Sequence, residues 1–429
     1  MAENDIQRVL RSMAAAPAFT DDLADVADRK DKLARRQRRF AAIIGVAVGC
    51  LSIVAVAALV RGDNGGLPIS TPTGSAFDRG SVTLPTGATL PEGQLLLATG
   101  DILERGSSTS VSLGSTKLEF LGLSPDGSFA LASTAKTLPT GITQNQELVS
   151  INLGNGQRTS IASVGSLADI GPASWSPDGT AVAYRLTTYS SDPSLSNPQS
   201  KPVEDSVCVV VLNGGVPSCP GAAGQVLSFA WSPDSSSLVL SGDESEPVRI
   251  LDVKSGQVST LLPVGGTPSV RSAIQSAALG QQVQQFVDPI WSASGAYIAA
   301  DAVVPSAGSV PIVVRTDGTF VAMGKPNADT QYLAWSPAED LLAYTTGITP
   351  PPTANWGVHL LSPNGQDETL LSTQSSSTPY LFGLAWSPTG QWLATDGPVI
   401  RVISVPSGNV SLSFSSPDGR PQSLVEWAA

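Results

Sequence analysis

Chemistry-bearing side chains are scarce in this chain of 429 residues: it has one histidine, three cysteines and only 14% charged residues. A serine or cysteine hydrolase needs a base beside its nucleophile. The single histidine, His359, lies in the apolar run Gly357-Val358-His359-Leu360-Leu361, and no serine in a nucleophile-elbow context accompanies it. No Cys/His group has metal-ligand spacing, and no GxxxxGK or GxGxxG follows a strand-like run. We therefore expect no catalytic, cofactor-binding or metal-binding residues and read the chain as non-enzymatic. Basic residues are also few, 24 Lys/Arg against 36 Asp/Glu. Residues 1–39 hold nine of the basic and seven of the acidic ones, which leaves 15 against 29 for the rest. An acidic balance of that size argues against nucleic-acid binding. The adjacent pairs Asp243–Glu244 and Asp367–Glu368 read as solvated turn charges.

Charge is wholly missing from Phe40–Val60, which also lacks proline. Its 21 residues would extend roughly 31 Å as a helix, enough to cross a bilayer. The cluster Arg35–Arg39 precedes it and only Arg61 follows closely, so the positive-inside rule places the N-terminus in the cytoplasm. We expect a cytoplasmic tail (1–39) with short helices, since Ile6, Val9, Leu10 and Met13 recur at helical spacing. A transmembrane helix (40–60), a flexible Gly/Pro/Ser/Thr linker (61–90) and an extracytoplasmic domain (91–429) follow. Gly45 and Gly49 form a GxxxG that offers a homodimer contact, although so Ala- and Gly-rich a run generates the pattern by chance. Arg61-Gly62-Asp63 in the linker carries almost no information.

The distal region is organised by a repeat. Leu381–Ala394, LFGLAWSPTGQWLA, returns as YLAWSPAEDLLAY, PIWSASGAYIAA, FAWSPDSSSLVL, ASWSPDGTAVAY and LGLSPDGSFALA. From Leu123 the signature positions fall at Trp175, Trp231, Trp291, Trp335 and Trp386, spacings of 52, 56, 60, 44 and 51 residues, the period of a four-stranded propeller blade. Ser-Pro-Asp-Gly supplies the tight turn of a hairpin, with Pro presetting φ and Gly accepting positive φ. The repeated Trp reads as packing between blades rather than as a ligand cage, and Asp126, Asp178, Asp234 and Asp418 read as turn formers rather than metal ligands.

This pattern resembles the units of TolB-like periplasmic propellers and of the propeller domains of prolyl oligopeptidase relatives. The resemblance implies an all-β propeller fold, TolB itself implying six blades; it implies no one activity, because that fold hosts binding proteins, scaffolds and enzyme accessory domains. Seven blades are expected here. Ser423–Trp427 matches a first strand without its following turn, while Gln94–Leu113 matches what should come next, so the two chain ends would share one blade. Cys208 and Cys219 should form a disulfide, because a turn at Asn213-Gly214 sets them opposite each other.

The long insertions fall between second and third strands or between one blade and the next, so they emerge on one face. That face is the expected site for a protein or cell-envelope partner, with Tyr189, Trp356 and Phe286, in the insertion Gly265–Asp288, as candidates. The function expected is a membrane-anchored binding or scaffolding module. One alternative is a signalling protein whose tail engages a cytoplasmic regulator, since the tail is similar to those of anti-sigma-factor-like proteins, although the His and Cys pair of their zinc module is absent. A degenerate or undetected hydrolase is the other.

Overall fold

The computed structural model describes residues 78–113, 118–137, 143–165, 167–189, 202–212, 214–220, 225–279, 282–305, 308–326, 332–346, 356–373, 383–396, 399–405, 407–415 and 424–428. The expected tail, transmembrane helix with Gly45 and Gly49, and most of the linker lie outside them. Among the described residues no helix is long and apolar enough to cross a membrane.

The described strands form seven antiparallel sheets, which makes seven blades and sets the six-bladed alternative aside. In the second, third and fourth blades the hairpin turn is built as the sequence suggests. The hydroxyls of Ser124, Ser176 and Ser232 each donate to the Asp two residues on, at 2.6 Å. These hydroxyls, followed by backbone N–H groups, hold the carboxyls of Asp126, Asp178 and Asp234 below the usual range. Gly127 and Gly179 close the turns at φ 68° and 71°, and in the fourth blade Ser235 takes the left-handed position at 61°. Asp418 lies outside the described residues.

The strand after each turn is the most apolar because both of its faces are covered by neighbouring blades. Ser237–Ser241, Tyr297–Val304 and Leu342–Thr346 are buried almost throughout. Tryptophan then ties blade to blade. Trp231, Trp335 and Trp386 donate their indole N–H to the carbonyls of Ser174, Ile290 and Ala334, in each case the residue preceding the tryptophan one blade back. Burying so large a ring at one recurring position is what packing, not a ligand cage, requires.

The first blade joins the chain ends. Leu424–Ala428 pairs with Gln94–Leu97, in the register Leu95↔Trp427 and Leu96↔Glu426, and Trp427 Nε1 donates to Glu92 O at 2.8 Å. This blade also gains a fifth strand, Asp78–Thr83, on its outer edge against Thr109–Ser112. The propeller thus begins inside the stretch read as linker. Asp78–Thr83 has no apolar alternation to announce it; pairing, and burial of Val82 against the blade, decide it.

The third blade is the short one. Its sheet holds Ala168–Trp175, Ala181–Tyr189 and Pro202–Val211, and the place of a fourth strand is taken by a single bridge, Val209↔Ser218. Beside that bridge Cys208 and Cys219 form a disulfide with Cα atoms 4.0 Å apart, in the register the hairpin predicts.

Candidate functional site

Strand alternation puts two kinds of connection on opposite faces of the ring. Turns within the hairpins, such as 124–127 and 152–156, are short; the longer connections leave the other face. One of these carries the helix α1, Pro268–Ile274, capped by Thr267 and continuing into a π turn, Gln275–Leu279. The proposed contact residues are placed unequally. Tyr189 ends its strand half-buried on the insertion face. Trp356 opens Trp356–Leu361 there, and its side chain lies outside what is described. Phe286 does not face solvent: it is buried against Val270 and Ile274, because it belongs to the innermost strand Gln285–Trp291 and anchors the insertion from beneath.

At this face the structure brings together residues that no sequence motif marks. The sixth residue after the turn position is polar in all seven blades: Thr99, Ser133, Arg185, Ser241, Asp301, Thr345 and Asp396. They form a collar that fastens one blade to the next. Asp396 accepts from Leu424 N at 2.7 Å and Arg185 Nη1 donates to Leu227 O at 3.2 Å, each across to the next blade, while the Ser241 and Ser228 hydroxyls meet at 2.7 Å within the fourth. The hydroxyls of Ser133 and Thr345 are buried with no hydrogen-bond partner among the described residues. The signal in the sequence was positional: the residues differ in type but share polarity at one place in the repeat.

Inside the collar, the innermost strands of the seven blades contribute Glu119, Asp169, Asp288 and Glu426 and not one Lys or Arg. Asp288 sits in a bulge, where Val287 pairs with Asp301 but Ile290 with Ala299, and takes φ 49°. Its side chain is exposed yet ringed by protein. That enclosure raises its carboxyl despite a hydrogen bond from Ser228. Burial likewise pushes Glu426 up to about 7 against the N–H of Leu123, and pushes Tyr332 up to about 12, helped by Asp396 and Asp288.

His359 belongs elsewhere, in a buried row of the sixth blade. Its ring stacks on Tyr344 at 5.0 Å. Thr346 Oγ1 lies 3.0 Å from Nε2, and Nδ1 is met by Lys325 Nζ at 3.1 Å and Thr369 Oγ1 at 3.2 Å. Burial and then the Lys325 charge push it down to about 4, so the ring is neutral near pH 7, with Nδ1 accepting from Lys325. Asp367, read as a solvated turn charge, instead receives the Tyr344 hydroxyl at 2.6 Å. Its register opposite Leu361 places it on a strand. Among the described residues no three metal-capable side chains converge.

No family model and no curated protein matches the chain. Solved structures similar to it include a putative TolB from Agrobacterium tumefaciens (17% identity, 65% of this chain and 87% of that one, TM-score 0.40). A TolB from Acinetobacter baumannii matches at 14% identity over 72% and 69%, TM-score 0.42. An oligogalacturonate lyase from Vibrio parahaemolyticus matches at 12% over 75% and 86%, TM-score 0.49. At such scores the blade count rests on the seven sheets, and no activity is carried over.

Proposed function

We propose that this chain is a single-pass membrane protein whose extracytoplasmic propeller is a non-enzymatic module that binds or scaffolds a protein or cell-envelope partner through its insertion-bearing face. The observation that carries this reading is the coincidence, on one face, of the long connections and the polar collar. Loops carried on a rigid scaffold are where recognition is commonly placed. The charge-free run Phe40–Val60 and the one-sided arginines support the anchor and its orientation.

Two experiments test it. External protease on intact cells should remove the propeller and spare the tail; the reverse pattern overturns the orientation. A photo-crosslinking residue at Tyr189 should give a discrete adduct in cells, lost when residues 190–201 are replaced by a short Gly/Ser turn. The same probe at Val258, exposed on an outer strand, should give none. Equal adducts from both positions would sink the face assignment.

A further inference from the structure

Besides the Trp335 indole, the seam between the fifth and sixth blades carries a pin made by one exposed residue. Lys325, two residues past Phe320–Met323 in the fifth blade, reaches three partners in the sixth. Its Nζ meets His359 Nδ1 at 3.1 Å and donates to Thr369 Oγ1 at 2.8 Å, and its backbone N–H donates to the Tyr344 hydroxyl at 3.0 Å. We propose that this cluster is an acid-operated release: a proton taken up by the imidazole expels the Lys325 ammonium and unpins the fifth blade from the sixth. The release belongs to the seam itself and does not depend on the insertion-bearing face having a partner.

The geometry leaves the imidazole one way to keep Lys325. An ammonium has donors only, so Nδ1 must accept, which requires a neutral ring with its proton on Nε2. Nε2 then donates to Thr346 Oγ1, 3.0 Å away. A second proton can go only to Nδ1, and it sets two cations 3.1 Å apart in a buried row, where like charges repel strongly. Lys325 is the partner able to leave, since it is exposed while His359 is buried. The charged ring has a substitute acceptor at hand: Asp367 Oδ1 lies 3.9 Å from Nδ1 and has no hydrogen-bond partner among the described residues, while Tyr344 holds the other oxygen. The groups facing the ring are thus Lys325 from the fifth blade, Tyr344 and Thr346 from the second strand of the sixth, and Asp367 and Thr369 from its fourth. Burial, then the Lys325 charge, lowers the imidazole from 6.5 to about 4, and burial raises the Asp367 carboxyl towards it. The neutral cluster therefore stabilises fully above about 6.5 and loses that contribution as pH falls to about 4, where the folded ring itself charges and the pin opens.

The test uses the full-length chain, whose one histidine gives a single imidazole NMR signal when histidine is isotope-labelled. That signal should titrate at about 4. Across the same range, hydrogen exchange in Trp356–Leu361 should quicken about tenfold relative to Val248–Asp252, the corresponding strand of the fourth blade. Referring one strand to the other removes the intrinsic effect of pH on exchange. Lys325→Met keeps the stem and drops the charge; it should move the histidine titration upward and abolish the pH-dependent difference. His359→Gln offers a side-chain oxygen in place of Nδ1 and should keep the strand protected at pH 4. A parent histidine that titrates at 6.5 or above, equal exchange in the two strands across the titration, or a pH-dependent difference that survives Lys325→Met each overturns the proposal. Lys325 is exposed, so that variant decides the matter even if His359→Gln fails to fold.

Discussion

The first and third blades solve opposite problems. The first has five strands, one of them, Leu424–Ala428, from a distant part of the chain, and is held by ladder hydrogen bonds and the Trp427 peg. The third has three strands, and where its outer strand should run there is one bridge and a disulfide. A ring in which every blade touches only its neighbours tolerates a thin sheet if a covalent link fixes its rim. It cannot tolerate an open seam, because an unclosed ring exposes two blade faces at once.

The contrast can be broken most severely at the seam. Removing residues 424–429 takes away the innermost strand of the first blade and should unfold the propeller cooperatively. Trp427→Ala, which leaves the strand, should cost about 3–5 kcal/mol; a truncated chain melting with its parent would show that closure is not needed. Next in size is the disulfide. Cys208→Ser with Cys219→Ser should cost about 2–4 kcal/mol in denaturant unfolding, and amide exchange should accelerate in Val207–Val211 while Leu95–Leu97 keeps its protection. Uniform acceleration around the ring would erase the distinction between a local rim and a global seam.

Val82→Ala is a smaller cut on the outer edge of the first blade. Loss of that fully buried side chain should cost about 1–2 kcal/mol without changing protection at Trp427. The mildest perturbation is one of charge. Glu426 has its folded pKa raised to about 7 from 4.5 by burial. Its contribution is therefore fully present below about 4.5 and is lost as pH rises towards 7. Glu426→Gln should match the parent at pH 4, exceed it at pH 8 and flatten the pH profile between. A parallel offset at every pH would mean that Glu426 does not titrate differently in the folded state.

How far the sequence revealed this can be judged position by position. Ser-Pro-Asp-Gly turns and recurring Trp are local chemistry, so the blades, the disulfide register and even the shared blade were legible. Asp78–Thr83 was not, because its pairing partner and the burial of Val82 are supplied by the rest of the sheet. Phe286 belongs to the next innermost strand and not to the insertion, a boundary that composition blurs. The collar escaped because its members, from Thr99 to Asp396, share a position and polarity but no residue type, so identity-based motif reading passes over them. Asp367 is legible only once the register is known: where the strand begins separates a solvated charge from the acceptor for Tyr344.

The outermost strand of the first blade also sets a load path. Any pull on the chain upstream of Asp78 is delivered first to the ladder between Asp78–Thr83 and Thr109–Ser112, at the rim, and not to the ladder between Gln94–Leu97 and Leu424–Ala428. The rim strand can detach and release chain while the inner ladder still holds the ring shut. Mechanically it is a fuse: extension is taken up by a strand the propeller can lose before tension reaches the one it cannot.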